Sequence, residues 1–170
     1  AVARKTVAGL FAAGLALAAV GCQEYASYPS VGGAHVAIRD PNSARMEEMM
    51  TSSLRWVLTR YPPPGGRAAI NLPVGVSRQT YDQVAAALSK EGIEATPIES
   101  GLDLPTYHVA RVWLRQTEAK VDVLRPVFEL GEGPQGGGFQ RGVTIRFRTD
   151  GFGPWRVVGT TELELGTIET

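Results

Sequence analysis

The chain has 170 residues, and its 17 basic and 17 acidic side chains cancel to a formal net charge of zero at neutral pH. That balance offers no electrostatic footprint for nucleic acid, which selects a strongly basic surface. The single cysteine, Cys22, excludes a framework of internal disulfides, so packing alone must stabilise the fold. The length suits one domain.

The N-terminal segment has the pattern of a secretory signal peptide. Arg4 and Lys5 form a short basic start, and Val7–Val20 is an uncharged apolar run of 14 residues. A helix of that length is shorter than the roughly 20 residues that cross a bilayer core. Basic residues, a short apolar run and small residues before a break indicate an export signal rather than a membrane span.

The tetrapeptide Ala19-Val20-Gly21-Cys22 ends this segment. It resembles the lipobox of bacterial lipoproteins, although Ala19 stands where leucine is commonest in that family. The resemblance implies that the Cys22 thiol receives a diacylglyceryl group, that a dedicated peptidase removes residues 1–21, and that the new N-terminus is acylated. Two or more acyl chains hold a protein stably on a membrane, whereas one does so only marginally. The alternative is an ordinary signal peptide followed by an incidental cysteine.

Cleavage before Cys22 would leave 149 residues with 15 basic and 17 acidic side chains, a formal charge of −2. Residues 22–39 are rich in Gly, Ser, Ala and Tyr, and we interpret them as a flexible tether. Gln23 is not the aspartate associated with inner-membrane retention in the lipoprotein family. The resemblance therefore implies the cell envelope, with the periplasmic side of the outer membrane favoured over the inner membrane. His35 is expected to be solvated, because a metal site needs three or four converging ligands.

Residues 40–60 predict the first helix. Asp40 suits the N-cap, Pro41 suits the first helical position, and the pair Tyr61-Pro62 resists continuing the helix beyond Arg60. Apolar residues with a period near 3.6 form one stripe, which we assign to the core rather than to an adaptable methionine surface. The stripe consists of Met46, Met49, Met50, Leu54, Val57 and Leu58.

Residues 67–98 predict a small βαβ unit. It comprises a strand over 67–74, a helix capped by Ser77 and closed by Gly92, and a strand over 93–98. No glycine-rich phosphate loop follows the first of these strands in the sequence, so we predict no nucleotide site.

The last third of the chain has strong strand character. Four strands are predicted, over 107–115, 119–128, 139–149 and 155–165. Segments 116–118 and 150–154 have the composition of hairpin turns. We therefore predict an α+β fold for a single domain over residues 40–170, with two helices packed on a mainly antiparallel sheet that ends in a four-strand meander.

Alternation along these four strands assigns a core face and an opposite face. The predicted core face carries Ala110, Val112, Leu114, Val121, Val123, Val127, Val143, Ile145, Phe147, Trp155, Val157, Leu163 and Leu165. The predicted opposite face carries Arg111, Trp113, Arg115, Asp122, Arg146, Arg148, Arg156, Glu162 and Glu164.

The opposite face contains the candidate binding residues, which are Arg111, Trp113, Arg115, Arg146, Arg148 and Arg156. Arginine binds carboxylate and phosphate groups bidentately, so this face suits an anionic ligand, a carbohydrate or an acidic partner. The alternative is a solvated face whose arginines pair across strands with Asp122, Glu162 and Glu164.

Three features that resemble catalytic or cofactor motifs are better explained as structure. His108 is predicted on the apolar side of its strand, as a hydrogen-bonded residue at the edge of the core. Gly131–Gly136 matches GxGxxG, but it contains Pro134 and precedes a strand rather than a helix. Glu162 and Glu164 lie about 7 Å apart along one strand, whereas catalytic carboxylates normally flank a cleft. The sequence also lacks HExxH and CxxC, so we predict no catalytic residue, no metal and no cofactor.

These patterns favour a membrane-anchored envelope lipoprotein whose domain is a non-enzymatic interaction or structural module. The expected partners are the membrane, through lipid on Cys22, and either an envelope protein or an anionic ligand. Nucleic acid is not expected. The alternative hypothesis is a small-ligand-binding lipoprotein with a pocket between the helices and the sheet.

Overall fold

The computed structural model describes residues 26–28, 40–101, 103–130 and 138–167. Two helices lie within these ranges, α1 (Ala44–Arg60) and α2 (Arg78–Ser89). The same ranges contain seven strands: β1 (Ala26–Tyr28), β2 (Arg67–Asn71), β3 (Glu94–Pro97), β4 (Thr106–Leu114), β5 (Glu118–Pro126), β6 (Phe139–Arg148) and β7 (Arg156–Thr167). The predicted α+β fold is therefore confirmed.

The strands form one sheet with the order β3-β2-β4-β5-β6-β7. β2 pairs in parallel with β3 and with the start of β4, which confirms the predicted βαβ unit around α2. From β4 to β7 each strand pairs antiparallel with the next, which confirms the four-strand meander. The short segments between β4 and β5 and between β6 and β7 are hairpin turns, as their composition predicts.

β1 corrects part of the predicted tether. Ala26–Tyr28 pairs antiparallel with the last three residues of β4, on the edge that β2 leaves uncovered beyond His108. Backbone groups on this half of β4 would otherwise lack partners, so a short strand from the N-terminal side satisfies them. The other residues of the 22–39 segment, and Cys22 itself, lie outside the described ranges.

The helix ends agree with the sequence signals except at the start of α1. The helix begins at Ala44 after Ser43, not at Asp40. The Asp40 carboxylate instead accepts a hydrogen bond from the Asn42 backbone amide (2.9 Å), which closes a turn before the helix. The predicted end at Arg60 is confirmed, as is the Ser77 cap of α2, whose hydroxyl accepts from the Thr80 amide.

The core lies between the helices and one face of the sheet, and the whole predicted stripe of α1 is buried in it. Val112, Leu114, Val121, Val123, Val127, Val143, Ile145 and Phe147 are buried as predicted. A bulge between Val109 and Arg111 shifts the alternation of β4. Consequently Tyr107 and Val109 are buried in place of Ala110, and His108 lies on the opposite face rather than on the apolar side.

β7 departs from the predicted pattern. Val157 is 41% exposed and Leu163 is 47% exposed, because this edge strand extends beyond the part of the sheet that α1 covers. Two register shifts against β6 also change which residues share a face. Glu162 is thereby paired with the buried Val143 and lies on the helix side, not on the opposite face. Trp155 packs against the core as predicted, and the Leu165 side chain lies outside the description.

Candidate binding surfaces of the sheet

The sheet surface that faces away from the helices is called the outer face here. Cross-strand register places its charged residues in rows. Glu118, Arg148 and Arg156 are neighbours in the row nearest the hairpin turns. Trp113, Lys120 and Arg146 form the next row, and Arg111 and Asp122 lie in the row after that. The six predicted binding residues therefore lie together on this face.

Arg111 has the pairing that the solvated alternative predicts. Its guanidinium donates two hydrogen bonds to Asp122 (2.7 and 2.6 Å), and the Thr144 hydroxyl donates to the same carboxylate at 2.7 Å. Arg148 pairs with Glu118 at 2.9 Å. Glu162, which that alternative also invoked, is on the other side of the sheet and does not belong to this network.

The middle of the outer face is organised around Trp113. The Arg115 guanidinium lies 4.9 Å from its ring centroid and the Lys120 ammonium lies 5.1 Å from it, so both cations interact with the ring. Arg146 extends across Gly159, where its guanidinium occupies the space that any larger side chain would need. Glycine at position 159 therefore allows Arg146 to lie flat on the outer face.

Five cations and one carboxylate define what we call the cationic patch, namely Arg115, Lys120, Arg146, Arg148, Arg156 and Glu118. Two of its cross-strand pairs, Lys120 with Arg146 and Arg148 with Arg156, place like charges directly opposite one another. Such pairs are destabilising in an isolated sheet. A shallow depression of about 350 Å³ lies over this part of the patch, with Val158 at its border.

A second cluster lies on the helix side, where sequence reasoning placed no site. The Tyr61 hydroxyl donates a short hydrogen bond to Glu162, and Arg141 donates to the same carboxylate at 3.0 Å. The Arg125 guanidinium is stacked 3.8 Å from the Tyr61 ring centroid, and only 6% of the surface of Arg125 is exposed. Tyr107 donates to the Tyr61 carbonyl at 2.6 Å. The cluster ties the end of α1 to β4, β5, β6 and β7.

The electrostatics of this cluster keep Glu162 ionised. Hydrogen bonds from Tyr61 and Arg141 lower the pKa of the Glu162 carboxyl. The hydrogen bond to Glu162 correspondingly raises the pKa of the Tyr61 hydroxyl, and burial raises the pKa of Tyr107 to about 12. A general acid needs the opposite shift, so this carboxylate is arranged as an ion-pair partner.

His108 belongs to a chain of polar side chains on the outer face. Its Nδ1 lies 3.0 Å from the Asn71 side-chain amide, and its Nε2 lies 3.3 Å from the side-chain amide of Gln140. The hydroxyl of Tyr81, a residue of α2, donates to the side-chain oxygen Oδ1 of Asn71 at 3.1 Å. Burial lowers the pKa of His108, which favours the neutral form of the ring. The hydrogen-bonded role predicted for His108 is confirmed, although on the other face.

A groove of about 460 Å³ separates α1 from the edge of the sheet. Its apolar walls are Trp56, Phe147, Trp155 and Val157, and Arg55 and Arg60 lie at its polar border. It occupies the place where the alternative hypothesis expected a pocket, between a helix and the sheet.

Within the described ranges, no group of three or more His, Cys, Asp or Glu side chains is placed to hold a metal ion. No helix in the same ranges is long and apolar enough to cross a membrane. The glycine-rich segment 131–136 lies outside the description. Comparisons with family models, with curated proteins and with solved structures found no match to this chain.

Proposed function

We propose that this chain is an envelope lipoprotein, anchored through lipid on Cys22, whose domain is a non-enzymatic binding module. Its binding surface is the cationic patch, and its ligand is an anionic group such as a phosphate, sulphate or carboxylate. The observation that carries the proposal is the presence of two like-charged register pairs across neighbouring strands, Lys120 with Arg146 and Arg148 with Arg156.

The like-charged register pairs favour a binding role over a solvated surface. Elsewhere on the outer face a register pair joins an arginine to a carboxylate, as Arg111 meets Asp122, whereas the five cations of the patch share the single carboxylate of Glu118, which is paired with Arg148. Each opposed pair of cations disfavours the sheet by a few tenths to about 1 kcal/mol. An oxyanion seated between two such cations removes that repulsion and accepts charge-assisted hydrogen bonds from both. Residues that are costly for the fold and favourable for a ligand are typical of binding sites.

The test is a titration of the purified protein with dextran sulphate, followed through tryptophan fluorescence, since Trp113 lies within the patch. We expect the double variant Lys120→Gln/Arg146→Gln to bind at least tenfold more weakly, because two charge-assisted contacts are lost. The matched control is Arg67→Gln/Arg78→Gln, which removes two exposed arginines from β2 and α2. Equal binding by both double variants would contradict the patch as the binding surface.

The groove beside α1 supports the second candidate, a small-ligand binder. Its volume lies within the range of ligand pockets, about 300 to 1,000 Å³, and aromatic walls with a few polar groups are typical of such sites. Binding of an apolar fluorescent anion that survives the patch substitutions but is lost in Trp155→Ala would favour this candidate over the first.

A further inference from the structure

The two hairpin turns of the meander lie side by side at one end of the sheet, which we call the hairpin end. The Arg115 amide donates to the Glu118 carbonyl at 2.7 Å and closes the first turn, and the Thr149 amide donates to the Thr117 carbonyl at 3.0 Å and joins the two turns. Phe152 lies in the β6–β7 turn, and its side chain is fully exposed. Among the described residues, Phe152 is the most exposed of the large apolar side chains, and it is aromatic.

The turn that presents Phe152 is well ordered by its own hydrogen bonds. The Asp150 carboxylate accepts from the backbone amides of Phe152 (3.0 Å) and Gly153 (2.6 Å). The Thr149 hydroxyl donates to the Gly153 carbonyl at 2.7 Å, and Gly151 supplies the positive φ of 95° that the turn requires. These contacts hold the Phe152 side chain outward without any support from the core.

The cationic patch is next to this turn. Arg148 and Arg156 are the last register pair of β6 and β7 before it, and Lys120 and Arg146 lie within about 7 Å further along the strands. An exposed aromatic side chain bordered by basic residues is the arrangement of surfaces that bind the headgroup region of anionic bilayers.

The position of β1 brings the anchor to the same end. Ala26 pairs with Leu114, the last residue of β4, directly before the first hairpin turn. Cys22 precedes Ala26 by four residues, and four residues span at most about 14 Å. Lipid on Cys22 would therefore keep the hairpin end close to the membrane surface. The patch adjoins this end, so contact of the hairpin end with the membrane would bring its charges within the Debye length of about 8 to 10 Å at physiological ionic strength.

We propose that the hairpin end rests on the membrane that carries the lipid anchor, with the cationic patch against anionic phospholipid headgroups and Phe152 inserted between them. This inference rests on the proposed function and names the partner of the patch. The domain is then held by three contacts near one another: the lipid, the charged patch and the aromatic side chain. The opposite end of the sheet, where β4 begins, points away from the membrane.

The experiment measures the depth of a fluorescent label in vesicles that contain the lipidated full chain. Phe152→Cys places a label at the hairpin end, and Asp103→Cys places one before β4 at the opposite end. In vesicles containing phosphatidylglycerol, we expect brominated acyl chains to quench the label at position 152 and to leave the label at position 103 unaffected. Vesicles of phosphatidylcholine alone should weaken the quenching, since the patch then has no anionic surface to meet.

A charge variant tests the patch in the same assay. Arg148→Gln/Arg156→Gln should lower the ratio of docked to undocked label roughly 30-fold, since each basic residue near an anionic surface strengthens binding about fivefold. The control Arg67→Gln/Arg78→Gln should leave the ratio unchanged. Equal quenching at positions 152 and 103, or no quenching at either, would overturn the inference. A change in the fluorescence of the label at position 152 that depends on protein concentration and not on lipid would also overturn the inference. It would indicate that a second copy of the chain covers the hairpin end.

Failure of the anchor is distinguishable from failure of docking. Without lipidation, the otherwise unsubstituted protein would carry a reactive thiol on Cys22, and a high-salt wash would release it from the vesicles. With lipidation but without docking, the protein remains with the vesicles and the label at position 152 stays in water.

Discussion

At the scale of single residues, three arginines of the sheet have three different roles. Arg111 is fixed by two hydrogen bonds to Asp122, so its charge is used within the fold. Arg125 is buried and stacked on the Tyr61 ring, where its aliphatic stem and planar head both pack. Arg146 lies exposed across Gly159, opposite another cation. The neighbours across the strand, and not the residue type, decide which of them is available to a ligand.

Glu162 gives a pH-dependent prediction at this scale. Its folded-state pKa lies below the ordinary value of 4.5, so the stability it contributes is present above about pH 4.5 and is lost as the pH falls through the folded pKa. We expect Glu162→Gln to lower the free energy of unfolding at pH 7 by up to about 1 kcal/mol, because the Arg141 pair is partly exposed. The difference from wild type should shrink in acid.

The measurement is urea unfolding of both proteins at pH 7 and at pH 3. Glu164→Gln is the matched control on the same strand and should show no comparable change. A difference between Glu162→Gln and wild type that is the same at both pH values would contradict the ion-pair role.

The outer-face residues were predictable because alternation is a local pattern. Arg146 and Arg148 alternate with the buried Ile145 and Phe147 along one strand, so their side follows from the sequence alone. The Tyr61 cluster was not predictable, since Tyr61 and Glu162 are 101 positions apart and share no motif. Only the tertiary fold, which packs α1 against β4 and β5 and places the residue after it beside β7, brings them together.

At the scale of elements, β7 shows how an edge strand differs from a central one. The pairing of β7 with β6 is interrupted by register shifts at two places. The apolar residues Val157, Val158 and Leu163 of β7 are exposed. Bulges are a common device that keeps a long edge from pairing with another chain. A bulge also shifts the alternation, so that residues after it lie on the opposite face from the one that regular alternation predicts. For this reason the sequence pattern placed Glu162 on the wrong face.

Two substitutions separate a central strand from the edge. Val143 in β6 is fully buried, so Val143→Asp places a carboxylate in the core without a partner, and we expect it to prevent folding or to cost more than about 3 kcal/mol. Val157→Asp in β7 meets water, and we expect a cost below about 1 kcal/mol. Urea unfolding monitored by circular dichroism measures both. Similar costs would show that β7 is as well covered as β6.

Helices, turns and the two short supersecondary units could be predicted here because each follows from signals within a few residues, such as Ser77 before α2, whereas the order of the strands in the sheet could not be. The bulge near Ala110 could not, since nothing in the sequence of β4 distinguishes it from regular alternation. β1 was missed for another reason. Its three residues have no period of their own and form a strand only because the end of β4 needs a partner.

At the scale of the whole molecule, the features used by the proposed function and by the further inference lie at one end of the sheet. The cationic patch, Phe152 and Ala26, the first residue of β1, all adjoin the hairpin turns. Attraction between the patch and a charged surface is screened by salt, with a Debye length that falls to about 3 Å at 1 M. Insertion of acyl chains is hydrophobic, at about 0.8 kcal/mol for each buried methylene, and salt does not weaken it.

This difference predicts how the two contacts respond to washing. Wild-type protein in a membrane fraction should stay with the membrane through a high-salt wash, because lipid on Cys22 holds it after the patch has been screened. Cys22→Ser should incorporate no labelled fatty acid and should be released by the same wash, since only the patch and Phe152 remain. Immunoblots of pellet and supernatant measure both proteins. Retention of Cys22→Ser in the washed pellet would show that something other than the lipid anchors the chain, whereas loss of wild type would show that no anchor beyond charge is present.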